Sequence, residues 1–331
     1  MVKFLVVRFS SIGDIVLTTP VLRHLKQQVE DAEIHYLTKT VYAPLLEANP
    51  YVDRIHVFDE DIKACIRMLR EESIDYVIDL HHNLRTARIK HGLRRIAFSV
   101  DKLNWKKWLY VNLKRDRMPD RHMVDRNLDT IRSFIEEQDD RGLDYFIPEK
   151  SEIDIQSLPE PFRKGYVGLS IGAQHETKKL PVEQLVQLCE KLNFPVVILG
   201  GPEDQKTGEI MVSSLQGRDI LNACGQYSIH QSASLVRQAR LLITHDTGLM
   251  HIGAVFHKKI ISVWGNTVPR FGMYPYRADA LSVQFEVSGL SCRPCSKIGY
   301  QKCPRKHFKC MLEQDLDALA SAANAYWAMK V

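Results

Sequence analysis

The chain has 331 residues, 45% of them hydrophobic and 26% charged, which suits two globular domains of ordinary size. No apolar run approaches the roughly 20 residues of a membrane-spanning helix, and the N-terminus opens on a core-strand pattern rather than a signal peptide. A soluble, cytoplasmic protein is expected, and its seven cysteines are not read as a disulfide framework.

Strand and helix patterns alternate along the chain. Strands are predicted at 3–9, 33–38, 54–58, 76–80 and 95–98, with helical stretches at 15–25, 41–47, 62–71 and 124–136. A second series of strands is predicted at 166–170, 196–199, 220–222, 241–244 and 260–264, with helices at 182–192 and 229–238. Two such series imply an α/β protein with two doubly wound, Rossmann-like domains. Their division is placed at 1–150 and 151–311, across a polar, proline-containing link. A last helical segment at 312–331 is expected to pack back toward the first domain.

The first strand runs into Ser10-Ser11-Ile12-Gly13-Asp14. Asp14 there is a good helix cap, and equally a carboxylate at the crevice where open α/β sheets bind ligands. The loop is neither a G-x-G-x-x-G fingerprint nor a P-loop. Asp59-Glu60-Asp61 follows another strand and is read as a cap for the helix at 62–71. Between Arg85 and Arg126 the chain is strongly basic and carries Trp105, Trp108 and Tyr110, a pattern for meeting an anionic partner. Nucleic acid is one such partner, though no nucleic-acid motif accompanies the run, and an anionic glycolipid at a membrane surface fits equally well.

Gly200-Gly201-Pro202-Glu203-Asp204 follows a strand and reads as a turn with close backbone approach. Thr244-His245-Asp246-Thr247-Gly248-Leu249-Met250-His251 joins a buried strand to an apolar helix. The unpartnered first amides of such a helix make an anion site, with a diphosphate the usual occupant. The same residues also suit a well-capped helix, with Asp246 and Thr247 as cap residues, and a core histidine. Cys292-x-x-Cys295, Cys303 and Cys310 form a four-cysteine set. It is read as a candidate structural zinc site, with an iron–sulfur cluster, reversible disulfides or free thiols as alternatives. Cys65, Cys189 and Cys224 are read as core residues.

Residues 8–20, with Asp14, resemble the N-terminal signature of glycosyltransferase family 9, the ADP-heptose:lipopolysaccharide heptosyltransferases. Asp246-Thr247-Gly248 with His251 resembles that family's donor signature. His122 and Arg126 match its His-x-x-x-Arg pattern, and Lys178 with Pro181 its Lys ahead of a Pro, although Leu180 stands where Trp is common.

The resemblance implies the GT-B fold, two Rossmann-like domains facing a cleft. It implies an inverting enzyme that moves a heptose from ADP-heptose to a hydroxyl of the lipopolysaccharide inner core. Asp14 would be the general base and Lys178 the leaving-group stabiliser; no Asp-x-Asp pair stands at a strand end of the second domain, so no catalytic metal or other cofactor is expected. Ser10, Ser11, Gly13, Asp204 (or Glu203), Tyr227, Asp246, Thr247, Gly248 and His251 would serve the donor. His122 and Arg126, together with Arg88, Arg94 and Lys106 of the basic segment, would serve an anionic lipid-linked acceptor. The enzyme would work at the cytoplasmic face of the inner membrane, in peripheral contact with it. A sugar-nucleotide epimerase and a non-catalytic sugar-nucleotide-binding protein are the alternatives.

Overall fold

The computed structural model describes residues 1–329, and these divide into two compact units. The first comprises residues 1–104 and 121–146; the second comprises 105–120 and 147 onward. The aromatic part of the basic segment therefore groups with the second unit.

In chain order the first part runs β1 (Val2–Val7), α1 (Ile12–Val16), α2 (Thr19–Gln28), β2 (Ala32–Thr38), α3 (Pro44–Glu47), β3 (Arg54–Val57), α4 (Ile62–Glu71), β4 (Tyr76–Asp79), α5 (Leu84–Leu93), β5 (Ile96–Ser99), α6 (Asn104–Leu113) and α7 (Met123–Leu128). Its sheet is parallel throughout, in the order β3-β2-β1-β4-β5. The chain winds outward from β1 in one direction, then returns to its other side at β4. The crevice at the carboxyl ends of β1 and β4 is thus the switch point, where such sheets bind ligands. Leu5, Val7, Phe9, Leu37, Phe58 and Val77 fill the core on one face of this sheet.

The second part continues with α8 (Glu160–Arg163), β6 (Val167–Ser170), α9 (Val182–Glu190), β7 (Val196–Leu199), α10 (Gln205–Ser214), β8 (Ile220–Asn222), α11 (Ile229–Gln238), β9 (Leu241–His245), α12 (Gly248–Val255), β10 (Lys259–Trp264), β11 (Val283–Glu286), α13 (Lys309–Leu312) and α14 (Leu316–Ala328). Its six parallel strands lie in the order β11-β10-β9-β6-β7-β8, so its switch point lies between β6 and β9. The last helix, expected to turn toward the first domain, sets Leu316, Leu319, Ala320 and Ala323 into the core of the second unit.

Three helical predictions break for local reasons. The run at 15–25 splits at Leu17 and Thr18, where the Thr18 hydroxyl bonds the Ile15 carbonyl at 2.7 Å ahead of Pro20. The run at 41–47 splits at Pro44, which has no N–H to continue a helix. The run at 124–136 ends as a 3₁₀ turn at Ile131, where the Thr130 hydroxyl takes the Asn127 carbonyl at 2.6 Å. Strand β11 was not predicted; its edge position leaves only alternate residues half-buried, a weak apolar signal.

Candidate active site

At the first switch point, β1 delivers Arg8 to a buried position. Its Nη1 donates to the Leu80 carbonyl at 2.6 Å and its Nε to the Ser10 carbonyl at 2.7 Å. Its Nη2 lies 2.6 Å from Asp14 Oδ1. The other Asp14 oxygen accepts from the Ser11 amide at 3.2 Å and the Ser11 hydroxyl at 3.0 Å, closing the first turn of α1. Burial alone would push this carboxyl up, but Arg8 and the Ser11 bonds outweigh it and hold the pKa at about 2. Ser10, Ser11 and Gly13 form the turn that carries Asp14.

The loop after β4 completes this pole. Asp79, fully buried, accepts the His81 and His82 amides at 3.1 and 2.7 Å and pairs with Lys90 at 2.8 Å. Burial, then Arg8 and Lys102, press the His81 imidazole down to about 4, so it is neutral at pH 7. Sequence reasoning missed Arg8 and Asp79. A charged residue closing each of two apolar strands was the signal available.

At the second switch point, β6 leads to Lys178 and β9 to Asp246. Lys178 Nζ lies 2.6 Å from Asp246 Oδ2 and 3.3 Å from its carbonyl oxygen. Thr267 Oγ1 donates to the same carboxylate at 2.9 Å. Thr247 is the N-cap of α12, yet its side chain makes no capping bond, and the Asp246 carboxylate is turned to Lys178. The reading of Asp246 as a cap is thereby corrected. The first amides of a helix have no partner within it, and here the N-cap side chain supplies none. His251 is buried one turn along α12. His245 is buried too: its Nε2 accepts the Leu180 amide at 3.0 Å, and burial presses its pKa down to about 3.

Asp204 is also turned inward. Its Oδ1 pairs with Lys179 at 3.0 Å and its Oδ2 accepts the Gly201 amide at 3.0 Å. Gly200 leaves it room, since a Cβ there would stand 2.8 Å from that of Asp204. Glu203 is exposed at the same turn, and Tyr227 is half-buried just before α11.

The family model described as glycosyltransferase family 9 (heptosyltransferase) matches residues 62–304, which include the whole second pole. The chain belongs to glycosyltransferase family 9. It is 22% identical to lipopolysaccharide heptosyltransferase 1 of Campylobacter coli, over 80% of this chain and 84% of that protein. It is 24% identical to lipooligosaccharide heptosyltransferase 2 of Haemophilus ducreyi, over 81% and 85%. A family 9 glycosyltransferase from Veillonella parvula superposes with a TM-score of 0.77 at 22% identity, covering 98% and 96% of the two chains. An E. coli heptosyltransferase solved with ADP superposes with a TM-score of 0.67 at 19% identity, covering 98% and 99%. The fold is GT-B, and the protein is a glycosyltransferase.

Other predicted residues of this family 9 enzyme are placed as follows. Arg88 is exposed on α5, and Arg94 is exposed at its left-handed C-cap. Lys106 lies on α6, in the second unit. His122 and Arg126 are buried: the His122 ring accepts the Val124 amide at 3.1 Å as the cap of α7, and Arg126 Nε donates to the His122 carbonyl at 3.4 Å. Asp61 caps α4 through the Lys63 and Ala64 amides, as expected.

Burial pushes the Cys65 thiol up to about 11 and those of Cys189 and Cys224 up to about 12, as suits core thiols. In the loop ahead of α14, Cys295 feels Cys292 and Cys310, and Cys310 feels Cys303. Cys292 Sγ stands 3.7 Å from His307 Nε2. The four thiols cluster without converging to metal-ligand spacing. Among the described residues the group that does converge is His35, His56 and Glu72. There Arg54 already pairs with Glu72 at 2.8 Å, and the two rings share a 2.9 Å hydrogen bond.

Proposed function

We propose that this family 9 enzyme transfers a heptose from ADP-heptose to a hydroxyl of the lipopolysaccharide inner core, with inversion. The observation that carries the reading is the Lys178–Asp246 pair at the head of α12, where a strand end, a cation and the start of a helix meet. A diphosphate leaving group gains negative charge as the sugar departs, and fixed donors of this kind stabilise that charge. Support for ADP comes from the E. coli relative solved with ADP. Support for the heptose and the acceptor comes from the lipopolysaccharide heptosyltransferase relatives.

In the reaction, the acceptor oxygen bonds to the anomeric carbon as the bond from that carbon to the diphosphate oxygen breaks. Inversion follows from this single displacement. The hydroxyl proton passes to Asp14, which Arg8 keeps ionised and oriented. A carboxylate so well stabilised is a weak base, so it takes the proton late, once the new C–O bond has made the hydroxyl acidic. Lys178 meets the departing diphosphate. Asp246 is already matched by Lys178, so the donor pole offers no acidic pair for a metal, and the transfer proceeds without one. Glu203, exposed beside Gly201, takes the ribose diol in preference to the buried Asp204. Tyr227 covers the adenine, and His251 supports α12 from within. Exposed Arg88 and Arg94, with half-buried Lys106, meet the phosphorylated acceptor; buried His122 and Arg126 hold the shape of that side. The cysteine cluster takes no part.

Thermal shift with ADP and UDP, followed by turnover of ADP-heptose on an inner-core acceptor, tests the proposal. ADP is expected to raise the melting temperature and UDP to leave it unchanged. A preference for UDP, or no heptose transfer, overturns it.

A further inference from the structure

Helix α6 has ten residues and buries none of them. Six of the ten are Trp, Leu, Tyr or Val, so solvation of a polar surface does not explain it. One side of the helix is explained. Lys107 and Tyr110, at i and i+3, face the rest of the second unit, and Lys114 just past the helix end does the same. Lys107 lies over the Phe271 ring at 5.6 Å, and the Tyr110 and Phe271 rings meet edge-on at 5.9 Å. Lys114 Nζ donates to the carbonyls of Cys292 at 2.9 Å and Pro294 at 2.7 Å.

The opposite stripe begins with Trp105, Trp108 and Leu109. Trp105 is 67% exposed, Trp108 43% and Leu113, at the helix end, 50%. The two indoles stack on each other, 6° apart with centroids at 5.2 Å, and both stay exposed. An isolated exposed apolar residue means little, but a contiguous aromatic stripe on a helix anchored by its other side is a docking face.

The charge around the stripe selects its occupant. Arg270 pairs with Asp116 at 2.9 Å and reaches Asp120 at 3.4 Å, which removes the nearest acids from play. Arg115 and Arg117 are exposed and form no ion pair among the described residues. We infer that the outward stripe of α6 is an interfacial anchor: Trp105 and Trp108 enter the headgroup region of an anionic bilayer, and Arg115 and Arg117 draw lipid phosphates beside them. Tryptophan, with an apolar body and one N–H, favours that zone. Ten residues are too few to cross a bilayer, so the helix lies in its plane. The inference deepens the proposal of a lipid-linked acceptor by assigning the surface that brings the enzyme to the lipid.

The experiment is co-sedimentation of the full chain with vesicles of phosphatidylglycerol and phosphatidylcholine, with pure phosphatidylcholine alongside. The wild type should bind the anionic vesicles, more weakly at raised salt, and brominated acyl chains should quench its tryptophan emission. W105S/W108S should lose binding by ~10-fold or more, and R115Q/R117Q should lose the anionic preference. All four side chains are exposed, so an unchanged melting temperature checks that each variant folds. Three results overturn the inference. The double tryptophan variant binds vesicles like the wild type; or it raises KM for a lipid-free core saccharide, which makes the stripe a sugar platform; or it dissolves a dimer present in the wild type, which makes the stripe a contact with a second copy. The vesicle assay holds no nucleotide sugar, so it reads the anchor whether or not heptose transfer is confirmed.

Discussion

Asp14 is held by a neighbour that makes it a poorer base and a better-placed one. Replacing its carboxylate by the isosteric amide should leave ADP affinity intact and cut turnover at least ~100-fold, the scale of a lost general base. Equal turnover in Asp14→Asn would remove it from the mechanism. The pH dependence has a defined sign. The folded pKa, about 2, lies below the ordinary value of 3.8, so the carboxylate is fully ionised above about pH 4. Any stability it contributes is present above the ordinary value and lost as pH falls toward 2. The acid limb of kcat/KM should accordingly lie well below pH 4. In Arg8→Met the effect of burial is no longer opposed by the guanidinium, so the acid limb should move upward and activity at pH 5 should fall. His81 is also freed to titrate higher when Arg8 goes, since Arg8 is among the charges that press it down. Repeating the profile in His81→Asn/Arg8→Met separates the two groups. An acid limb that stays in place in both variants would show that Arg8 does not tune Asp14.

At the scale of elements, both poles are strand-to-helix junctions at the switch points of parallel sheets. These junctions were legible because a short apolar strand, an Asp–Gly pair and a helical apolar run follow one another in a few residues. What the carboxylates hold was not legible. Asp246 meets Lys178, 68 residues earlier in the chain, and only the pairing of β6 with β9 brings them together. A cap reading was the local expectation, and the tertiary partner displaced it. The same limit hid the inward turn of Asp204 toward Lys179. The consequence is testable. Lys178→Ala should depress kcat more than ADP affinity, because its charge counts most when the leaving group carries its full negative charge. Asp246→Ala should act through Lys178, which loses its anchor, and lower turnover while leaving α12 intact, since Thr247 and not Asp246 is the N-cap. Calorimetric titration with ADP, beside melting curves, distinguishes these effects. Normal turnover in both variants would displace the donor site from the head of α12.

For the whole molecule, the sequence carried the two doubly wound units and their chain order, because alternating strand and helix patterns need no knowledge of partners. It did not carry the allocation of the basic segment, since α6 follows the first sheet in sequence and belongs to the second unit by contact. The proposed acceptor residues are allocated to the units accordingly. Arg88 and Arg94 belong to the first, Lys106 to the second. Charge reversal at Arg88 and Arg94 together should raise KM for a phosphorylated acceptor and spare ADP affinity, and added salt should shrink the difference, because exposed charges are screened beyond ~8–10 Å at about 0.1–0.15 M. Reversal at Lys106 alone should have a smaller effect on a lipid-free acceptor, as a single half-buried lysine beside the α6 stripe. The two variants, assayed with one acceptor in lipid-free and lipid-linked forms, separate saccharide recognition from delivery to a surface. A donor-affinity defect with unchanged acceptor kinetics in the Arg88/Arg94 variant would show that the arginines of α5 serve the nucleotide sugar instead.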